Sequence, residues 1–421
     1  MKVPENTLPS SEPGDASQLA ESLPEQPQTD SQQSVTLNLS QVRGVYLPLT
    51  ALQNTEQLSQ TLSDLKRQGI NCILVDAKNA QGQVLYQSAN QTVAEVAAQA
   101  AGAVDMEQIT ALAKENGMTV IARIYAFRDP LSSLILKKAA VKYQDTEMLW
   151  LDNSKENGGK SWLNPYSEVA QMYIADLSLE CVRAGCSAIM LDGVQFPAGY
   201  SLELAGYGAQ TKSRQQVLSD FVQDMEELLN ENNGTLIYAS SAHAMLGMET
   251  SSYDSRGLYY PIENFCPDLR PAILASGVRL ESLTMADPAG QPYDTVKAVL
   301  LQLKASGADK SFLPMLQAYT DASSSLEYTA VQIEEQIRAL EESGITGYNG
   351  FVNSWLSNNP SYRIDSKEKL DALKTMFSDS HIALIYGSAG TGKSTLINHI
   401  SNLYNDRKKL YLANTNPAVD N

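Results

Sequence analysis

The stretch Cys186-Ser-Ala-Ile-Met-Leu-Asp-Gly-Val-Gln-Phe-Pro197 decides how the chain is read. Its apolar run, residues 187–191, predicts a buried strand that stops at Asp192 and turns at Gly193. Phe196-Pro197 then closes the strand and starts a loop. An apolar strand that carries an acid to its own C-terminal end is how parallel α/β barrels present reactive groups. Taken alone, Asp192 reads equally well as a turn cap, because Asp is common in such loops.

Outward from this strand the same pattern recurs. Strand-like runs are predicted at 42–47, 70–75, 118–125, 187–191, 235–239, 280–285, 312–316 and 347–352. Helical spacing covers 55–68, 93–101, 106–116, 167–184, 213–230, 293–306 and 325–343. Eight strands in mostly strict alternation with helices predict an α/β fold, a (β/α)8 TIM barrel over residues 39–362. An open doubly wound sheet is the alternative.

Before the barrel, residues 1–38 are rich in Ser, Pro, Glu and Gln, lack aromatics, and have Lys2 as their only base. Such a segment cannot bury enough apolar surface to offset its chain entropy and is expected to be a disordered linker. Linkers of this kind often join an anchor or signal to an exported domain. The barrel is therefore expected to work outside the cytoplasm, although no signal or anchor lies in this sequence.

Lys and Arg number 31 against 48 Asp and Glu, a formal charge of −17. That balance repels phosphate backbones and argues against the barrel binding nucleic acid. No apolar run approaches the length of a membrane span. Cys72, Cys181, Cys186 and Cys266 show no Cys-x-x-Cys pairing and are expected to be buried thiols. No pair among the three His is spaced as a metal site.

In a barrel the chemistry gathers where strands end. Strand ends supply Asp76 and Lys78, Arg123 and Tyr125 with Arg128 and Asp129 beyond, and Asp192. Ser240, Ser241 and His243 follow the fifth strand and Asp287 the expected sixth. Gln317, Tyr319 and Asp321 follow the seventh, and Asn353 and Trp355 the eighth. Each taken singly fits a loop cap or a surface charge. Together they suit a sugar, whose rings stack on aromatics and whose hydroxyls donate to carboxylates. Asp192 is the expected nucleophile or base; Asp287 is the best-placed candidate for its partner carboxylate, with Asp76 and Asp129 behind it. Asp76, Lys78, Arg123, Tyr125, Asp129, Gln317, Asn353 and Trp355 are expected to bind substrate.

Several of these stretches resemble a bacterial family of TIM barrels regarded as glycoside hydrolases and distantly similar to α-amylases. They are Arg43-Gly44-Val45-Tyr46, Asn71-Cys72-Ile73-Leu74-Val75-Asp76-Ala77-Lys78, and Ala122-Arg123-Ile124-Tyr125-Ala126-Phe127-Arg128-Asp129-Pro130. Trp162-Leu163-Asn164-Pro165-Tyr166 and Ile189 through Pro197 continue the series. The resemblance implies a barrel that cleaves or binds polysaccharide, without a cofactor. Where that family has Phe-Asp-Tyr-Ile-Arg-Phe-Pro, this chain has Leu191-Asp192-Gly193-Val194-Gln195-Phe196-Pro197, keeping the aspartate and losing the tyrosine and arginine. Ser240-Ser241 stands where an aspartate follows the family's fifth strand. Since hydrolysis needs two carboxylates, a barrel that binds glycan without cleaving it is the alternative function.

Residues 363–421 follow a different pattern. An apolar run at 381–386 leads into Gly387-Ser388-Ala389-Gly390-Thr391-Gly392-Lys393-Ser394, followed by Thr395 and a helix. This is a phosphate loop in strand–loop–helix context. Backbone at Gly387, Gly390 and Gly392 closes around phosphates, Lys393 reaches the terminal ones, and Ser394 can hold Mg²⁺. The segment, with Thr415-Asn416-Pro417-Ala418-Val419-Asp420-Asn421, resembles the start of superfamily-one helicase-like ATPases. ATP and Mg²⁺ are the expected ligands there. Hydrolysis is not expected of this chain alone, since the acidic motif, later strands and arginine finger are not in it. The two halves suggest a fusion of gene fragments.

Overall fold

The computed structural model describes residues 37–246, 257–273, 278–280, 283–285, 287–307, 309–320 and 328–351. Eight parallel strands close into a barrel: β1 (Arg43–Leu47), β2 (Cys72–Lys78), β3 (Thr119–Tyr125), β4 (Ala188–Asp192), β5 (Thr235–Ser241), β6 (Asn264–Asp268), β7 (Met315–Gln317) and β8 (Tyr348–Phe351). Closure is direct, because β1 pairs in parallel with both β2 and β8. Around the wall lie α1 (Thr55–Arg67), α2 (Met106–Glu115), α3 (Glu168–Arg183), α4 (Arg214–Glu231), α5 (Pro292–Ser306) and α6 (Ala330–Glu341).

The strands alternate side chains between two apolar environments, which is why they read as unbroken hydrophobic runs. Tyr46, Cys72, Leu74, Ile121, Met190, Ile237 and Cys266 fill the barrel interior. Val45, Ile73, Val75, Ile124, Ile189, Leu191 and Tyr238 face the helices. All four cysteines are buried free thiols, as their positions in the sequence predict. The helices start where short polar side chains meet orphan N–H groups. Asn54, Ser167 and Ser213 each accept a backbone N–H at the start of α1, α3 and α4, and Thr329 with Gln332 forms a capping box on α6.

Two expectations are corrected. The run at 280–285 is not the sixth barrel strand: Val278–Leu280 and Leu283–Met285 pair antiparallel as a hairpin outside the barrel sheet. The sixth strand is Asn264–Asp268, in register with β5 from Phe265↔Tyr238 to Asp268↔Ser241. Pro267 hides it, because a proline within a short apolar run ordinarily argues against a central strand. The helix expected over 93–101 is one turn, Gln91–Glu95, followed by the strand Gln99–Val104. Alanine-rich sequence favours a helix locally, but this strand is recruited through Val84–Tyr86 onto the edge of β2.

The loops after β3 and β4 form a small lobe of their own. Lys142–Tyr143 pairs antiparallel with Ala205–Gly206, over a core of Val141, Trp150, Trp162 and Ala205. Among the described residues no helix is long and apolar enough to cross a membrane. Residues 1–36 of the expected linker, the phosphate loop with Gly387, Gly390, Gly392, Lys393, Ser394 and Thr395, and the pair Asn353 and Trp355 lie outside the described residues.

Candidate active site

Where β2, β3, β4 and β6 end, the inward positions change from apolar to charged. On β2, Leu74 is followed two residues later by Asp76. On β3, Ile121 is followed by Arg123, and on β4 Met190 by Asp192. Arg123 organises this group. Its Nε lies 2.6 Å from Asp76 Oδ1 and its Nη1 3.7 Å from Asp192 Oδ2. Its guanidinium carbon sits 5.4 Å from the Tyr46 ring centre and 5.1 Å from that of Tyr125, so cation–π attraction holds it from both. The Tyr46 hydroxyl donates to Asp76 Oδ2 at 2.9 Å. Arg123 is therefore fixed between two rings and two carboxylates, with only 4% of its surface exposed.

Asp192 is half-buried, and its Oδ1 accepts the Gly193 N–H at 2.7 Å. Gly193 has a φ of +62°, and a Cβ there would stand 3.3 Å from Tyr125 Cδ1. Glycine thus lets the chain turn at once, keeping the Tyr125 ring beside the acid. Burial raises the Asp192 carboxyl above the ordinary aspartate value. Arg123 opposes that shift and the nearby Asp268 charge reinforces it. Burial would pull the Arg123 guanidinium down, but Asp76, Tyr125 and Asp192 carry it well above its usual value.

The opposing side of the mouth comes from β6. Asp268 ends that strand, and Arg270 grips it in a fork, Nε to Oδ1 at 2.8 Å and Nη2 to Oδ2 at 2.5 Å. A bidentate pair of this kind fixes the orientation of the carboxylate as well as its position. The thiol of Cys266, one inward step below, is raised by burial and then by the charges of Asp268 and Asp192. Charges from β4 and β6 thus converge over the same interior position. Among the described residues no three Asp, Glu, His or Cys side chains are grouped to hold a metal ion.

Of the residues singled out in the sequence, Asp76, Arg123, Tyr125 and Asp192 come together. Others go elsewhere. The pairing of β2 with β3 shifts register between Asp76 and Lys78, so Lys78 stands opposite Ile124 and shares its outward face. There it meets Asp129, Nζ to Oδ2 at 3.0 Å, both side chains fully buried. Gln317 is also buried, accepting the Ala272 N–H at 2.7 Å and donating to the Tyr319 carbonyl at 3.0 Å. Asp287 is exposed beyond the hairpin, where it accepts the Gly290 N–H at 3.0 Å. The end of the sixth strand belongs instead to Asp268.

Tyr46, Asp268 and Arg270 are the mouth residues that sequence reading passes over. Asp268 carries the same signal as Asp192, an acid closing a short apolar run, but Pro267 breaks that run. Tyr46 lies in a recognised strand, yet looks like core until Asp76 is placed beside its hydroxyl.

One solved structure agrees with this architecture at the level of the fold. Among solved structures, the chain resembles the PgaB (BpsB) glycoside hydrolase domain from Bordetella bronchiseptica, with a TM-score of 0.54 and 12% identity over 81% of this chain and 99% of that one. The catalytic domain of β-amylase from Paenibacillus polymyxa gives a TM-score of 0.46 and 11% identity, covering 82% of this chain and 99% of that one. A hypothetical protein from Ruminiclostridium thermocellum gives 0.41 and 25% identity, covering 46% and 96%. No curated protein matches the chain. Residues 44–359, most of the length, match the family model described as "Putative glycosyl hydrolase domain". The chain therefore belongs to that family.

Proposed function

We propose that the barrel hydrolyses glycosidic bonds of a polysaccharide, with Asp192 and Asp268 as the two working carboxylates. The observation that carries this reading is their placement. They end β4 and β6, with only β5 between, and each lies close enough for Asp268 to act on the charge of Asp192. Hydrolysis of a glycoside needs one carboxylic acid to protonate the leaving oxygen. It needs a second carboxylate to attack the anomeric carbon or to activate a water there. Asp192, held protonated to higher pH by its burial, suits the acid. Asp268, oriented by Arg270, suits the nucleophile or base. Arg123 acts through Asp192 and Asp76, while Tyr125 offers its ring to the sugar. Asp268 thus replaces Asp287 as the partner carboxylate, and the roles are exchanged, since the sequence suggested Asp192 as the nucleophile or base.

Reducing-end release from a panel of polysaccharides tests this. Wild type should release ends from at least one polymer, and Asp268→Asn should lower that rate by about 10²–10⁴-fold. Asp287→Asn should leave it unchanged. Full activity in Asp268→Asn would overturn the pairing.

One set of residues favours a second reading, a barrel that holds glycan without cleaving it. Gly193 and Gln195 replace a tyrosine and an arginine beside Asp192, and Ser240-Ser241 replaces an acid after β5. Polymer retention without any release of reducing ends supports that reading. The acidic linker at residues 1–38 supports an extracytoplasmic setting for either.

For residues 387–394 the phosphate-loop pattern supports binding of ATP with Mg²⁺, through Lys393 and Ser394. A rise in melting temperature with Mg²⁺-ATP that disappears in Lys393→Ala is the expected result. No rise in the wild-type chain would remove this assignment.

A further inference from the structure

We propose that the lobe built by the loops after β3 and β4 carries an accessory sugar-binding cleft, centred on Tyr200, that holds uncharged units of the glycan away from the reacting bond. This rests on the barrel being a glycan-acting one, and adds where and what kind of sugar it grips.

The cleft has a volume of about 470 Å³, and Tyr143, Asn153, Ser154, Asn157, Tyr200 and Ser201 line it. That is within the size range of small-ligand sites. Two aromatic rings with amides and hydroxyls are what a pyranose requires, an apolar face to stack on and partners for its equatorial hydroxyls. No charged side chain lines it. In a chain of net charge −17, an uncharged cleft points to neutral sugar units rather than acidic or amino sugars.

The tyrosine is held out by construction. Tyr200 is 73% exposed although large and aromatic. The next residue, Ser201, has a φ of +54°, a left-handed conformation that costs energy for a side chain other than glycine. Two fixed anchors maintain it. The buried Trp150 donates from Nε1 to the Ser201 carbonyl at 3.1 Å, and the Tyr200 N–H donates to the Asp152 carbonyl at 3.1 Å. Asp152 itself is tied down, its carboxylate accepting from the Lys160 N–H and Trp162 Nε1. A turn anchored in this way holds one aromatic face open to solvent beside the polar side chains of the cleft, the arrangement on which a sugar ring stacks.

The cleft also belongs to the reactive side of the barrel. Tyr200 follows Asp192 by eight residues, so the two Cα atoms lie no more than about 29 Å apart. A chain seated at the carboxylates can extend to it.

Affinity electrophoresis of the full chain carrying Asp192→Asn, which is expected to slow cleavage of the polymer, tests the cleft. Gels would contain starch, hydroxyethyl cellulose, xylan or glucomannan, with alginate as the anionic comparison. Retention in at least one neutral polymer is expected. Adding Tyr200→Ala should weaken it about tenfold, as loss of a stacking ring does, and Tyr200→Phe should restore it. Retention unchanged by Tyr200→Ala, retention in alginate alone, or no retention in any neutral polymer would overturn the proposal. The catalytic reading fails separately: if Asp192→Asn does not slow hydrolysis, the acid is misassigned while Tyr200-dependent retention still stands.

Discussion

Asp192→Asn is expected to lower the rate of polysaccharide cleavage by about 10²–10⁴-fold, the contribution of a positioned proton donor. The amide keeps the size of the carboxyl and can still accept the Gly193 N–H, so the mouth should retain its shape. What it cannot do is deliver a proton to the leaving oxygen. Reducing-end release at saturating polymer reads the loss in kcat, with KM little changed because the amide still occupies the site. A variant cleaving at the wild-type rate would exclude Asp192 from the chemistry.

The pH dependence adds a second, independent reading of the same residue. Burial raises the Asp192 carboxyl above its unfolded value, so the folded state binds a proton more tightly than the unfolded chain does. Below the ordinary aspartate range both states are protonated, and the residue makes no difference to stability. As pH rises through that range and then through the raised folded value, ionising the buried group destabilises the fold, and the cost persists above it. Asp192→Asn should therefore melt at a higher temperature than wild type at pH 7, with the difference shrinking towards pH 3. Activity should fall on the alkaline side as the acid loses its proton. A residue that costs stability where it is needed for chemistry fits a reactive site better than a turn cap.

How far the site could be read from sequence depended on local regularity. β4 was legible because Ala188–Asp192 is an uninterrupted apolar run with one acid at its end. The same logic brings Asp76 and Arg123 to the barrel mouth, where the structure has them, since β2 and β3 alternate faces without a break as far as those residues. It failed at Lys78, because a single register shift moved every later side chain to the opposite face. It failed at Asp268, because Pro267 interrupts a strand whose existence is decided by its two neighbours in the barrel. The run at 280–285 has the composition of a strand and forms one, but composition does not say which sheet it joins. Mouth residues therefore come from strands, which periodicity finds. Their pairing comes from register, which it does not.

The register shift at Lys78 leads to the second large effect. Lys78 and Asp129 are an ion pair with no exposed surface on either side chain. The ammonium also donates to the Tyr125 carbonyl at 2.7 Å, and Asp129 Oδ1 accepts the Ser132 N–H at 2.8 Å. Gly82, at a φ of +82°, leaves the space that Asp129 occupies. Removing one partner strands the other charge in a dry environment, which costs about 3–5 kcal/mol. Lys78→Met should therefore lower unfolding free energy by that amount in urea titration. Asp129→Asn on the same background should recover most of it, because the amide keeps the Ser132 contact and no charge remains unpaired. Recovery will be partial, since the Tyr125 carbonyl still lacks its donor. Were Lys78 a sugar ligand at the mouth, Lys78→Met would instead raise KM and leave stability near wild type. The buried pair predicts the reverse: a large loss of stability, rescue by the second substitution, and a KM for polymer that stays with the wild type in whatever fraction remains folded.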